Sequence, residues 1–544
     1  MDAIELALFA SRAQAVCDEM GVVLRRTAFS PNIKDRLDFS CALFDAEGAL
    51  FAQAAHIPVH LGSMAYAMAD VVARIHWRRG DVVMFNDPFL GGTHLPDVTV
   101  VMPVWADEVL IAFAATRAHH ADIGADAPGS MPLSRSLEEE GVIIEPMHLL
   151  RDGRVPDAAA AVLARLAGRR PSREAASLAE WQSLPALADF AAQVSSAATG
   201  ARGVEALAGQ CGGAVAFHEA VAALDAYAER MARAAFTAIP AGVWVGEDLL
   251  DDDGQGNRDL RIVVRVDVAR DGSVDVDFTG TAAQSEGNLN CPLSVAAAAV
   301  LYVFRCLMPA GAPASAGAFR PVRIRAPEGS LLNATRPAAV SAGNVETSMR
   351  IVDVLLRALA PALPERIPAA AQGTMNNVAM GARGVHRWDY YETLAGGLGA
   401  HAHGAGPSAR HAHMTNTLNT PIESLEAHYP LRVERYALRR GSGGRGLHAG
   451  GDGVERHYRF LEAAEVTLLA ERRVRGPWGL AGGGDGAAGA DRLNGRAIAG
   501  KSRFRVAAGD LLEVATPGGG AWGAADPDAG GAAVAVADGP VPKA

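Results

Sequence analysis

Apolar residues recur at helical spacing over residues 4–27, where Leu6, Phe9, Ala13, Val16, Met20 and Val23 alternate with charges, so the chain is expected to open with a core-facing helix. Two short apolar runs follow, 39–44 and 49–54, separated by Asp45, Ala46, Glu47 and Gly48, a turn-rich spacer that predicts a hairpin. A helix is expected near 63–75, then β-rich runs at 82–85, 98–105 and 109–118. From 157 to 236 the pattern turns to Ala, Leu and scattered charges, and since Ala is the best helix former this reads as a helical stretch broken at Gly and Pro. Strands return from 243, with 260–268 and 274–278 joined at Asp271 and Gly272, and helices are expected near 294–307 and 348–360. After about residue 429 short apolar runs lie between Gly clusters, the pattern of antiparallel strands with tight turns.

A chain of 544 residues is past the size at which a single core stops growing. The expected fold class is α+β and multi-domain, with mixed and antiparallel sheets, a helical insertion and a β-rich C-terminal region. The pattern divides into an N-terminal α+β region (1–155), an Ala-rich helical region (156–242), a central α+β region (243–428), a Gly-rich β region (429–524) and a loose tail (525–544).

Composition narrows the function. Hydrophobic residues at 49% and charged residues at 20% describe a globular protein. A formal charge of -11 with no basic stripe excludes nucleic acid as an expected partner. The five cysteines, Cys17, Cys41, Cys211, Cys291 and Cys306, are scattered and form no C-x-x-C pair, so a reducing compartment fits better than a disulfide framework. The N-terminus lacks an export signal, and the most apolar stretch, 292–304, stops well short of the ~20 residues of a membrane span. A cytoplasmic protein with no membrane partner is expected, and 292–304 reads as a buried helix.

The densest group of metal-capable side chains lies in NDPFLGGTHLPD (86–97) and RAHHADIG (117–124). Pairing 98–105 with 109–118 as a hairpin places His94 opposite His119 and Asp97 opposite Thr116, with opposed β-carbons ~5 Å apart. Pro103 within the first strand points to an edge or a bulge. Two imidazoles and a carboxylate suit a divalent ion such as Zn, Mn or Fe and leave positions open for water or substrate. His120 and Asp122 flank His119 and are candidates for general acid and base. Spacing by itself leaves open that all of these are polar loop residues hydrogen-bonded to one another.

Other signals are weaker. GRAIAGKS (495–502) matches the P-loop pattern, yet polar residues precede it and an alternating run follows, so a β-turn is expected. GSGGRG (441–446) leads into more glycines and no helix. The HAH pairs at 401–403 and 411–413 place imidazoles on alternate residues, but neighbouring glycines favour a loop. No G-x-S-x-G elbow and no cysteine nucleophile signature occurs.

The chain resembles the hydantoinase B and oxoprolinase family over nearly its whole length. The resemblance is carried, in order, by SPNIKDRLDFSCALFD (30–45), IPVHLGSM (57–64), NDPFLGGTHLPDVTVVMPV, RAHHADIG with PGSM, DFTGTAAQSEGNLNCP (277–292), PAAVSAGNVETSMRI (337–351), HMTNTLNTPIESLEAHYPL (413–431) and TPGGGAWG (516–523). The family is related to the large subunits of acetone and acetophenone carboxylases. Their pattern of His, Asp three residues on, and His in the next strand maps onto His94, Asp97 and His119 as metal ligands. Departures stand at Ala405, Gly441, His448 and Ala449, outside that motif.

The resemblance implies the catalytic subunit of an ATP-dependent enzyme that opens small cyclic amides (hydantoin, 5-oxoproline, lactams). A hydantoinase A-like partner would bind ATP with Mg in a hetero-oligomer, and bicarbonate is a possible co-reactant. The rivals are the large subunit of a carboxylase, a non-catalytic scaffolding subunit, and a metal hydrolase that needs no ATP.

Overall fold

The computed structural model describes residues 1–54, 56–167, 185–383 and 387–525. Part of the expected helical stretch (168–184) and nearly all of the expected tail (525–544) lie outside the described residues. The first sheet is built from Phe39–Asp45 (β1), Leu50–Gln53 (β2), Val82–Phe85 (β3), Asp97–Ala106 (β4), Val109–His119 (β5) and Met147–Leu150 (β6), in the order β2-β1-β5-β4-β3-β6. Successive side chains of a strand point to opposite faces. Ala42, Phe44, Val101, Phe113 and Ala115 pack under the Pro58–Arg74 helix. Cys41, Leu43, Val104, Ala112, Ala114 and Ala118 pack against the Ala3–Thr27, Pro185–Cys211 and Ala214–Phe236 helices. With both faces covered, β1 and β5 read as continuous apolar runs.

β4 and β5 form the expected hairpin in a different register. Asp97 faces His119, not Thr116, and His94 lies ahead of the strand. The tip holds only Asp107 and Glu108, with φ of 49° and 60°, the left-handed pair that lets a two-residue turn follow the twist of its strands. A bulge between Val104 and Trp105 displaces the pairing further. Pro103 lies beyond Val101, where pairing with β3 ends, so its missing N–H breaks no bond to that strand.

The apolar stretch at 292–304 forms the Leu293–Leu307 helix, buried at most positions. It lies so close to the Pro58–Arg74 helix that a Cβ on Gly62 would stand 2.6 Å from the Ala298 Cα. Beyond it the Ser348–Leu359 helix packs on a second sheet made of Gly242–Asp252 (β7), Arg258–Val268 (β8), Val274–Asp277 (β9) and Val322–Arg325 (β10). β10 runs parallel to β9 and the other neighbours are antiparallel. Among the described residues no helix is long and apolar enough to cross a membrane.

The remaining strands are Asn377–Ala382 (β11), Trp388–Thr393 (β12), Leu431–Arg439 (β13), Gly453–Phe460 (β14), Ala464–Leu469 (β15), Ala490–Leu493 (β16), Arg496–Ile498 (β17), Lys501–Val506 (β18) and Leu511–Ala515 (β19). They form two sheets, β12-β11-β15-β18 and β13-β14-β19-β16-β17. The former draws strands from both sides of the division expected at residue 429. A buried ionic network ties this region to the centre. Arg350 reaches Asp248 (3.2 Å) and Glu471 (3.4 Å), Arg472 bonds Asp248 and Asp353 (2.7 Å each), and Lys501 pairs with Glu471. A lone charge in such surroundings would be costly, and the network leaves each with an opposite partner.

Many C-terminal glycines are not in turns. Extended segments cross one another backbone to backbone: Gly519 N–H donates to the Gly451 carbonyl, Gly451 N–H to the Leu398 carbonyl, and Gly444 N–H to the Gly519 carbonyl. A Cβ on Gly519 would sit 1.9 Å from the Leu398 carbonyl oxygen, and a carbonyl held in a lattice has nowhere to retreat. Gly519→Ala is expected to lower unfolding free energy in urea by about 3 kcal/mol or more. Gly209→Ala, on the Pro185–Cys211 helix with open space around it, is expected to raise it by ~0.5–1 kcal/mol. Equal effects at the two positions would contradict the lattice account.

Candidate metal centre

Asp97 opens β4 and His119 ends β5 as its cross-strand partner. Both fall on the side that carries Thr99 and Arg117, and Arg117 ties that side to the Pro58–Arg74 helix by donating to Thr99 Oγ1 (2.8 Å) and Ser63 Oγ (2.7 Å). The same helix supplies His60, whose Nε2 lies 3.2 Å from Asp97 Oδ2 and 3.9 Å from Asp38 Oδ1. His94 arrives on the loop before β4. That loop doubles back so tightly that a Cβ on Gly92 would stand 2.2 Å from the Asn86 carbonyl oxygen. Asn86 pins it by donating to the carbonyls of Leu95 (2.8 Å) and Val142 (2.9 Å).

His94 Nε2 and His119 Nδ1 approach the same Asp97 oxygen, Oδ1, at 3.3 and 3.4 Å. All three side chains are buried, and His94 Nε2 and Asp97 Oδ1 have no hydrogen-bond partner. Among the described residues this is the one group of His, Cys, Asp or Glu atoms close enough to share an ion. Gaps of this size match donors that each bond a central ion at ~2.0–2.2 Å. The outer contacts fit as well. His94 Nδ1 faces the Ser341 carbonyl at 3.3 Å, which places its proton there and leaves the Nε2 lone pair free. Asp97 Oδ2 accepts from Thr93 Oγ1 (2.6 Å) and Asn344 Nδ2 (3.4 Å), so Oδ1 is the oxygen left to bind.

Charge follows this geometry. Burial pushes the Asp97 carboxyl up, but the charges of His60 and His94 outweigh it and hold Asp97 well below the usual carboxylate range. Burial pulls His94 down, and the Asp97 carboxylate more than offsets that, raising it. His119 is lowered by burial, which Asp97 only partly opposes.

Two buried glutamates frame the group. Glu140 Oε1 accepts from Ser134 Oγ (2.7 Å) and from Val340 N and Ser341 N (2.9 Å each), bracing the segment that carries the Ser341 carbonyl, and burial raises it to about 6. Glu346 sits with Asn344 in a π-helical turn, Gly343–Thr347, that precedes the Ser348–Leu359 helix. Such turns recur at functional sites because they re-aim side chains. Glu346 Oε1 accepts from Met375 N (3.0 Å) and Asn377 Nδ2 (2.7 Å).

The other sequence candidates lie elsewhere. His120 follows His119 and turns to the opposite side of the sheet, where its Nε2 meets Gln193 Oε1 at 2.9 Å and its ring packs on Phe190. Asp122 pairs with Arg387 and accepts from Ser130 Oγ (3.2 Å). Neither has a hydrogen bond or ion pair to His94, Asp97 or His119: the alternation of side chains along the chain turns His120 away, and Asp122 lies in the loop beyond β5. GRAIAGKS runs from β17 at the edge of one sheet directly into β18 at the edge of another, with no helix after it, and its Lys501 is buried against Glu471. GSGGRG joins the glycine lattice, where a Cβ on Gly443 would meet the Gly450 carbonyl oxygen at 2.0 Å. His401 stands in a surface turn, whereas His413 Nε2 faces Asp353 Oδ1 at 3.7 Å. Cys41 is buried and pushed up to about 12 by that burial, the state of an inert thiol.

His60, Thr93, Ser341 and Asn344 were within reach of sequence reasoning only as members of the 57–64, 86–97 and 337–351 motifs. Tyr391, whose ring stacks on His119, carries no such signal.

Burial raises the Glu346 carboxyl from 4.5 to about 7. A carboxyl raised on folding contributes stability below its unfolded value and loses it as pH climbs through the folded value. Glu346→Gln keeps the acceptor for Met375 and Asn377. Its stability relative to wild type is expected to rise from near zero difference below about pH 4 to ~3 kcal/mol at pH 8. A difference that does not change with pH would show that Glu346 does not titrate in this range.

The family model described as Hydantoinase B/oxoprolinase matches residues 2–525. 5-oxoprolinase 1 of Arabidopsis thaliana is 37% identical over 96% of this chain, which spans only 42% of that enzyme's length. A Pseudomonas sp. protein provisionally named as one subunit of a D-/L-hydantoinase is 31% identical over 89% of this chain and 83% of its own. Among solved structures, the ATP-dependent caprolactamase from Pseudomonas jessenii superposes with a TM-score of 0.86 at 25% identity, covering 96% of this chain and 91% of the other. With motifs, sequence and fold matching along nearly its whole described length, the chain belongs to the hydantoinase B/oxoprolinase family.

Proposed function

We propose that this chain is the metal-bearing catalytic subunit of an ATP-dependent cyclic amide hydrolase. The observation that carries the reading is the convergence of His94 Nε2 and His119 Nδ1 on Asp97 Oδ1, without hydrogen bonds between them. Relatives named 5-oxoprolinase and ATP-dependent caprolactamase support the substrate class and the ATP requirement. A relative named as one subunit of a hydantoinase supports a hydantoinase A-like partner that binds ATP with Mg, as does the absence of a phosphate loop from 495–502.

A divalent ion, Zn, Mn or Fe by the donor set, would supply Lewis-acid polarisation of the amide carbonyl or a water acidic enough to attack near neutral pH. Of the chain's own groups, His94, Asp97 and His119 bind, and Thr93, Asn344 and Ser341 orient them. His60, with Nε2 3.2 Å from Asp97 Oδ2 and 3.9 Å from Asp38 Oδ1, stands beside the donor group and braces the Asp97 carboxylate, whereas His120 and Asp122, the candidates for acid and base, lie farther out. The burial of all these groups excludes bulk water from the reacting amide.

The test co-expresses the chain with a hydantoinase A-like ATP-binding subunit and follows hydantoin, 5-oxoproline and larger lactams, with and without bicarbonate. Ring opening is expected to need ATP and to vanish in His94→Ala together with a bound ion measured by elemental analysis. Thr93→Ala, which removes the shortest of the contacts that anchor Asp97 Oδ2, is expected to weaken metal binding about 10–100-fold, whereas Asp122→Asn is expected to keep kcat near wild type. Full activity of His94→Ala without metal would establish a scaffolding subunit, and bicarbonate carbon in a ketone-derived product would establish a carboxylase.

A further inference from the structure

The two histidines of the centre are held in different ways. His94 has an outer hydrogen bond, Nδ1 to the Ser341 carbonyl. His119 has none: with Nδ1 directed at Asp97, its Nε2 is buried and unpartnered. A metal-binding imidazole is ordinarily fixed by a hydrogen bond on its second nitrogen, so something else must set the His119 ring plane.

We propose that Tyr391 is the positioning residue for His119, fixing the plane of its imidazole by ring stacking in place of a hydrogen bond. The assignment rests on the metal-centre reading above. The two rings are parallel to within 11° with centroids 4.8 Å apart. Tyr391 is buried and tethered on several sides. Its hydroxyl donates to Asn377 Oδ1 (2.7 Å), and Asn377 is itself fixed by donating to Glu346 Oε1 (2.7 Å) and the Leu469 carbonyl (2.6 Å). The Arg36 guanidinium lies 4.8 Å from the Tyr391 ring centroid, and its Nη1 donates to the Tyr391 carbonyl at 3.0 Å. Turning the imidazole about its Cβ–Cγ bond would drive it edge-on into a ring that cannot yield. Tyr391 comes from β12, a strand of the third sheet, whereas His119 ends β5 of the first. Stacking therefore makes ligand geometry depend on how two separate sheets are docked.

The test measures Zn²⁺ affinity by calorimetry and the visible spectrum of the Co²⁺-loaded chain for wild type, Tyr391→Phe and Tyr391→Leu, alongside Tm without metal. Tyr391→Phe retains the stacking face and is expected to bind within a few-fold of wild type with an unchanged cobalt spectrum. Tyr391→Leu removes the face and is expected to bind about 10–100-fold more weakly, with shifted cobalt bands. If Tyr391→Leu does not fold, Tyr391→Met, whose flexible thioether fills the space without a plane, makes the same comparison. Equal affinity and spectra for wild type and the aliphatic variants would overturn the assignment. So would an equal loss in Tyr391→Phe, which would point to the hydroxyl. A wild-type chain that binds neither ion would instead overturn the metal-centre reading itself.

Discussion

A carboxylate with no exposed surface stands at the centre of this protein, and the arrangement around it answers the cost of burying Asp97. An isolated buried carboxylate would take up a proton to avoid its desolvation penalty. Asp97 is held well below the usual range instead, because every approach to it carries a positive or hydrogen-donating group. One oxygen is occupied by Thr93, Asn344 and His60, and the other is left to the two imidazoles that share it. The two oxygens divide the work, one anchoring the side chain and one facing the site.

The groups that serve Asp97 come from parts of the fold with no local reason to meet. β4 and β5 bring Asp97 and His119, the Pro58–Arg74 helix brings His60, the π-helical turn brings Asn344, and β12 brings Tyr391. Gly62 lets the Pro58–Arg74 and Leu293–Leu307 helices close to contact distance. The network of Arg350, Arg472, Lys501 and their acidic partners joins the Ser348–Leu359 helix to the second and third sheets. Because charges buried without partners are so unfavourable, that network tolerates few alternative dockings, and the π-helical turn at the head of the helix inherits its rigidity. The glycine lattice adds a constraint of another kind, since segments in backbone contact can be placed in only one way.

Much of the local structure was legible in the sequence. Helical periodicity marked the opening helix, short apolar runs and the turn residues between them marked the β1–β2 and β4–β5 hairpins, and unbroken apolar content marked the Leu293–Leu307 helix. Each rests on interactions within a few residues or on the burial of a whole face, which composition reports directly. The hairpin register was not legible, because it turns on a two-residue tip and a bulge that shift every pairing while leaving the apolar pattern intact.

Sequence by itself therefore determined the family, the strands and helices, and the identity of His94, Asp97 and His119 as donors of the right kind at plausible spacing. Tertiary structure decided which of their neighbours matter. Strand alternation sends His119 toward the Pro58–Arg74 helix and His120 toward Gln193, so adjacent residues that look equivalent in sequence have different surroundings. The partners that orient the site, from His60 to Ser341, Asn344 and Tyr391, are joined to it by contacts spanning tens to hundreds of residues. Such contacts leave no periodicity for a sequence to carry, since they exist only once separate sheets and helices have docked.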